Sequence, residues 1–327
     1  MQNSRFSTWA FGIVISLIVV SIPSAAIAQQ WPARPVKVIV PLGPGSGTDV
    51  IARIFTDRLS ARWSQPVLVE NRPGGDGVIG IMAFLSANDD HVLLFTATSV
   101  FTGHPYLHDK LPYDPSDLIP VAQVNDTPVV VAVPTALNVS SMKELVDIAR
   151  ARPNALNAAA ITGLQDLIFN GFLNAENVKI AKVPYRDTVQ ALNDLAENRI
   201  QILLTSVTIV QSQVQAGEVK IIATTSRQRQ PVLPNTPTVS EEGFPSLTVE
   251  GGSGFFVPKI MNPPIRSQIA ADVIAVADAD PGLRDRFAAM GQVLHTGPSP
   301  EFLKLVNDQR ARAADAAQRL GIKPAQP

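Results

Sequence analysis

The chain has 327 residues, of which 46% are hydrophobic and 17% charged, with a net charge of −1 and no cysteine. That length holds one large or two ordinary domains, and the apolar share is enough for a core. The missing cysteine excludes disulfides, thiolate metal sites, cysteine nucleophiles and a lipid-modified N-terminal cysteine, and the lack of any basic stripe excludes nucleic acid as a partner.

The N-terminus has the layout of a secretory signal. Arg5 supplies the positive start, Trp9 to Ile22 an apolar run broken by Gly12, Ser16 and Ser21, and Ala26-Ile27-Ala28 a small-residue cleavage site. A membrane anchor is the alternative, but the run is short for a span and Pro23 fits cleavage better. Residues 1–28 are therefore read as a signal peptide removed after Ala28, leaving an exported chain that starts at Gln29.

Val36 to Val40 has the apolar content of a buried strand. Gly43, Gly45 and Gly47 follow, and the spacing of Val50, Ile51, Ile54, Phe55 and Leu59 predicts a helix from near Val50, with Thr48 or Asp49 as its N-cap. Such a turn is either a plain strand-to-helix connection or an anion site, since a helix N-terminus offers free N–H groups and the positive end of a dipole. Pro66 to Glu70 reads as a second strand, Asn71 to Gly77 as a second glycine-rich turn, and Val78 to Ala87 as a helix. His91 to Phe95 is a third strand, running into Thr96-Ala97-Thr98-Ser99. In a parallel sheet these three strand ends share one edge, where ligands bind.

Further on, Val121 to Val124 and Val129 to Val133 are strand candidates, the second leading into another domain. Ser141 and Glu144 stand at capping-box spacing ahead of a helix that ends before Pro153. Leu156 to Ala160, Val178 to Pro184, Ile200 to Leu204 and Val219 to Thr224 read as strands. Leu167 to Asn174, Val189 to Glu197 and Ile209 to Ala216 read as the helices between them. Val249 to Pro258 is expected to be a glycine hinge leading into a short strand. Three helices close the chain: Ile265 to Ala277, one from Pro281 to Gly291, and a last one with Ser299 as N-cap and Pro300 first in the helix. The alternation predicts parallel α/β sheet, and about ten strands exceed one ordinary open sheet, so two lobes are expected.

Familiar catalytic signatures are missing. The first glycine turn lacks the Gly-Lys-Ser/Thr ending of a phosphate loop and the spacing of the dinucleotide fingerprint, and no G-x-S-x-G elbow occurs. His104 and His108 are four apart, but Gly103 and Pro105 make a regular helix improbable there, and a solvated loop is the expectation over a metal site. Asp49, Asp76 and Asp166 sit at strand-end turns, where such residues cap helices more often than they react. Tyr185 and Arg186 suit either a carboxylate ligand or a surface ion pair.

Several runs together carry a family resemblance. They are Trp31 to Pro41, Gly45 to Arg53, Gln65-Pro66-Val67-Leu68-Val69-Glu70-Asn71-Arg72-Pro73-Gly74, Lys182-Val183-Pro184-Tyr185-Arg186, Gln215-Ala216-Gly217 and Leu233 to Val239. In this order and spacing they resemble the Bug-type periplasmic solute receptors of the tripartite tricarboxylate transporter family, over essentially the whole mature chain. The resemblance implies a type II periplasmic-binding-protein fold, an α/β "Venus flytrap" with two crossover strands. It divides the chain into a first lobe of residues 29–130 and 253–327 and a second of residues 131–252. It implies a ligand site at Gly45, Ser46, Gly47, Thr48 and Asp49, at Gly77, Val78 and Ile79, and at Thr96, Thr98 and Ser99, faced by Thr162, Gly163, Thr205 and Ser206.

This chain departs from the family pattern at Asp187-Thr188, Thr205, Asp166 and Val78, where the family commonly has a glycine pair, Asp, His and Asn. Carboxylate capture stays in place, while the missing Asp at position 205 speaks against amino-acid ligands. The expectation is a monomeric periplasmic receptor, without cofactor, metal or catalytic activity, that hands a small organic carboxylate to the membrane subunits of a tripartite transporter. A periplasmic sensing subunit and an exported Asp-dependent hydrolase or isomerase are the alternatives.

Overall fold

The computed structural model describes residues 31–160, 163–185 and 188–325. The expected signal and its cleavage point at Ala28, and the site candidates Thr162, Arg186 and Asp187, lie outside the described residues.

Val36, Val38 and Val40 are fully buried, and the strand that carries them, β1 (Val36–Val40), lies one strand in from the edge of the first sheet. It is followed by α1 (Gly47–Trp63), β2 (Val67–Asn71), α2 (Val78–Ala87) and β3 (Val92–Ala97). Two single-turn helices, α3 (Ser99–Thr102) and α4 (His104–Leu107), lead to β4 (Ile119–Thr127). The second lobe contains β5 (Val129–Pro134), α5 (Met142–Ala151), β6 (Asn157–Ala160), α6 (Gly163–Ala175) and β7 (Ala181–Lys182). It continues through α7 (Thr188–Ala196), β8 (Ile202–Ser206), α8 (Val207–Gln215) and β9 (Val219–Thr224). The chain then returns through β10 (Gly251–Val257), α9 (Pro263–Asp278), α10 (Leu283–Ala289), β11 (Val293–Pro298) and α11 (Ser299–Arg319).

The strand orders are β11-β4-β10-β3-β1-β2 and β7-β6-β8-β5-β9. Both sheets are mixed, against the expectation of parallel sheet throughout. β1, β2 and β3 are parallel, as are β6, β7 and β8, but β10 runs antiparallel to β3 and β4, and β5 antiparallel to β8 and β9. The strands that enter from the other lobe arrive from the opposite direction, which forces the reversal. In the first lobe, α1, α9 and α10 cover one face, and α2, α3 and the first half of α11 the other. In the second, α5 and α6 cover one face, α7 and α8 the other.

Several local expectations are corrected. Val130 lies inside β5, paired with Thr205 of β8. Gly251, Gly252 and Gly254 are not a loose hinge but ladder residues of β10. A Cβ on Gly254 would sit 2.3 Å from the Ala122 carbonyl oxygen and 2.6 Å from the Phe302 ring, so glycine is there to let β4 and α11 come close. Ser299 is the first residue of α11 rather than its cap, and its hydroxyl donates to the Pro120 carbonyl at 2.6 Å. β7 is only two residues long, and β11 forms where no strand was expected. The predicted cap at Ser141 is present, with its Oγ accepting the Glu144 N–H at 3.2 Å.

α11 belongs to both lobes. Phe302 and Val306 are buried in the first lobe's core, whereas Ala313, Ala316 and Ala317 are buried in the second's. Gly171 of α6 comes so near that a Cβ there would lie 2.8 Å from the Ala316 Cβ. The last helix is therefore a strut between the cores of the two sheets.

Candidate functional site

The first wall is the turn between β1 and α1. Ser46, not Thr48 or Asp49, is the N-cap, and its Oγ accepts the Asp49 N–H at 3.3 Å. Asp49 lies in the first helical turn, 2% exposed. Its Oδ2 accepts the Gly45 N–H at 2.9 Å and the Arg53 Nε–H at 3.1 Å, and its Oδ1 accepts the Asn71 amide at 2.9 Å. Burial pushes the Asp49 pKa up, but Arg53, the Gly45 N–H and Asn71 together outweigh it and hold the carboxyl below its ordinary value. Asp49 is thus an ionised clasp that folds the loop back on itself. The Gly45 N–H is spent in that clasp, which leaves the N–H groups of Gly47 and Thr48, at the start of a 17-residue helix, without an acceptor among the described residues.

The second wall is joined to the first. Asn71 also donates to the Leu42 carbonyl at 3.0 Å, and the Arg72 N–H donates to Val40 at 2.9 Å. Gly74, Gly75, Asp76 and Gly77 all have positive φ, which only three glycines in four positions make tolerable. A Cβ on Gly77 would meet Val100 of α3 at 2.4 Å, so the second and third strand-end turns are in direct contact. Ile79 is 54% exposed and Val78 half-buried at the start of α2.

The third turn contributes less surface than expected. Thr96 and Thr98 are fully buried, and the Thr98 hydroxyl and N–H both donate to the Gly252 carbonyl, at 3.1 and 2.8 Å. Thr98 thereby ties the end of β3 to β10, the Thr96 hydroxyl donates to the Ala97 carbonyl at 3.3 Å, and Ser99 is partly exposed. On the second lobe, Thr205 is likewise fully buried in β8, opposite Val130, and Ser206 is the partly exposed residue before α8. Gly163 is exposed and begins α6, where Leu107 of the first lobe faces it. Gly45 to Thr48, Gly77 to Ile79 and Ser99 thus follow the C-terminal ends of β1, β2 and β3, Gly163 and Ser206 stand at those of β6 and β8, and Thr96, Thr98 and Thr205 are buried.

Other sequence candidates resolve into structural roles. The Tyr185 hydroxyl donates to Asp194 Oδ2 at 2.7 Å, and burial with that carboxylate pushes its pKa up to about 12. Asp166 accepts Lys182 at 2.6 Å and Asn170 at 3.1 Å. His104 is 1% exposed, not in a solvated loop; it contacts Tyr113 and the Asp76 carbonyl. Neither Asn71 nor His104 had been singled out for the site, and the Ser46-x-x-Asp49 spacing was a cap signal that could have been read. At the opposite end of β3, ligand atoms of Asp89, Asp90 and His91 lie within 4.8 Å of one another, but Arg34 already pairs with Asp89 at 2.6 Å.

Two histidines, buried His104 and partly exposed His295, are expected to set a pH optimum for stability. Burial and His108 lower the His104 pKa from 6.5 to about 4, so stability is present above 6.5 and is lost as pH falls toward 4, by roughly 3 kcal/mol. The Asp126 and Glu301 carboxylates raise His295 to about 9, so its contribution is full below 6.5 and is lost as pH rises through 9. The urea midpoint is expected to peak near pH 6.5, and His295→Gln to flatten its alkaline side only. An unchanged alkaline slope in that variant would contradict the assignment.

Comparison with known proteins matches this geometry to a family. The model of the tripartite tricarboxylate transporter family receptor matches residues 51–322. The chain belongs to that receptor family. It is 28% identical to BugT of Bordetella pertussis over 317 residues, 95% of this chain and 96% of that one. A Rhodopseudomonas palustris protein solved with adipate superposes with a TM-score of 0.75 at 26% identity, covering 90% of this receptor and 99% of the other. MatC from the same species, solved with bound malate, gives 0.71 at 26% identity, covering 88% and 99%.

Proposed function

We propose that this receptor captures a small organic carboxylate between its lobes, outside the cytoplasmic membrane in the periplasm, and presents it to the membrane subunits of a tripartite tricarboxylate-type transporter. The observation that carries the reading is the pair of free N–H groups at Gly47 and Thr48, on a helix N-terminus whose loop is held rigid by an ionised Asp49. Such a site takes an anion without a titrating partner. We place the ligand against Gly45, Ser46, Gly47 and Thr48, Gly77, Val78, Ile79 and Ser99 of the first lobe, and Thr162, Gly163 and Ser206 of the second. Two solved relatives hold adipate and malate, which supports a carboxylate here.

Chemistry on the ligand is not part of the proposal. Both oxygens of Asp49 are committed to Gly45, Arg53 and Asn71, which leaves it unsuited to exchange protons with a substrate. Binding acts by population shift, with the closed arrangement favoured only as far as the ligand touches both lobes. The division between lobes falls, in this reading, at Pro128 and Glu250, and the receptor works as a monomer.

A thermal-shift screen with acetate, malate, adipate and citrate tests the reading. An acid present at ~100 times its Kd adds about 2.7 kcal/mol of stability. Aspartate is expected to stabilise less than malate, because the strand end at 205 offers a buried threonine and no carboxylate for an amino group. Stabilisation by none of the four acids overturns the proposal.

A further inference from the structure

Taking the loop at 74–79 as part of the carboxylate wall, we propose that His104 is a positioning residue that keeps the carbonyl of Asp76 turned away from the bound anion. The loop does not hold this shape by its own preference. Asp76 has φ 53°, a left-handed conformation that a side chain disfavours, and it stands between Gly75 and Gly77, both also at positive φ. Leaving this basin relieves the strain at Asp76, and Gly77, on the other side of the 76–77 peptide, turns freely, so the peptide has a second orientation open to it. In one, the Asp76 oxygen points into the lobe. In the other it points toward the cleft, where a carbonyl dipole repels a carboxylate.

Two hydrogen bonds select the first orientation. The Gly77 N–H donates to the Gly74 carbonyl at 3.0 Å, and His104 Nε2 lies 3.1 Å from the Asp76 oxygen. A carbonyl only accepts, so Nε2 carries the proton, and Nδ1 accepts from the Tyr113 hydroxyl at 2.6 Å. Both ring nitrogens are thereby fixed in a buried, neutral imidazole; burial and the neighbouring His108 hold its pKa at about 4. The donor orients the peptide without adding a charge.

The brace is anchored away from the loop it controls. His104 follows α3, whose Thr102 hydroxyl donates to Gln309 Oε1 of α11 at 3.0 Å, and the Gln309 amide donates in turn to the Glu250 carbonyl at the second crossover. A rigid segment fixed to α11 and to the crossover therefore carries the donor to the loop.

Two amide substitutions separate the roles of the ring nitrogens. In His104→Gln the amide nitrogen stands as many bonds from Cα as Nε2, and can still donate to Asp76. In His104→Asn it stands at the Nδ1 position and reaches only Tyr113. Both lose the ring and its packing. The folded variants are titrated calorimetrically with acetate, malate, adipate and citrate, well below their melting temperatures. His104→Asn is expected to weaken the tightest of these acids by about tenfold, the loss of one hydrogen bond's worth of order, with His104→Gln within about threefold of wild type. Equal affinity in the two variants overturns the assignment, as does a histidine nitrogen spectrum showing the proton on Nδ1. If wild type binds none of the four acids, the receptor reading fails and takes this assignment with it.

Discussion

Asp49→Ala is expected to cost roughly 3 kcal/mol of unfolding free energy and to weaken carboxylate binding by at least about tenfold. The stability loss follows from what the carboxylate leaves behind. Removing it strands the Gly45 N–H and one of the two Asn71 amide N–H donors, while Arg53, half exposed, can turn to water. The cost therefore sits at the lower end of the range for breaking a buried pair. The binding loss has a different origin. Asp49 need not touch the ligand; it holds the turn in which Gly47 and Thr48 present their N–H groups. Asp49→Asn keeps the shape but loses the charge and one acceptor, and should fall between wild type and alanine. Urea denaturation and calorimetric titration with the best acid of the screen measure the two effects separately. Wild-type affinity in Asp49→Ala would falsify the claim that this turn is a wall of the site.

Gly254→Ala should be about as damaging for an opposite reason, costing roughly 3 kcal/mol by overfilling. The added Cβ would meet a backbone oxygen of Ala122 at 2.3 Å and the ring of Phe302 at 2.6 Å. Neither can retreat: Ala122 is paired with Phe255 in the sheet, and Phe302 is fully buried. Gly43→Ala is the control, because no atom lies within 4 Å of a Cβ there. Comparing urea midpoints of the two variants settles it. A Gly254→Ala chain as stable as Gly43→Ala would mean that β10 and α11 can move apart freely, and the description of a tight, glycine-dependent contact would have to be abandoned.

These two glycines show how far the residues alone could be read. A run of glycines is compatible with bending and with close packing, and only the neighbours decide between them. Positions 251–254 read as a hinge from composition, yet β4 and α11 press on them. β1, α2 and β9 were legible almost to the residue because their apolar patterns are strong and local. β11 was not, since Val293-Leu294-His295-Thr296-Gly297-Pro298 has two apolar residues and a bulge, and stands at a sheet edge paired only with β4. At the candidate site, the glycine turns and their shared edge were visible in advance. What they lacked was the inward side: that Thr96, Thr98 and Thr205 are buried, and that Asp76 meets a histidine 28 positions later. Contacts of that range leave no local periodicity to detect.

The strut formed by α11 has a consequence for how the molecule is made. The ribosome delivers the first lobe's β1, β2, β3 and β4 early, but β10, which separates β3 from β4, comes only after the whole second sheet. The second sheet is complete at Thr224, yet its core still awaits Ala313, Ala316 and Ala317, fewer than twenty residues from the C-terminus. Neither half has all of its core residues until α11 is present. Each core is therefore completed only when α11 docks, with Phe302 and Val306 closing one and Ala313, Ala316 and Ala317 the other.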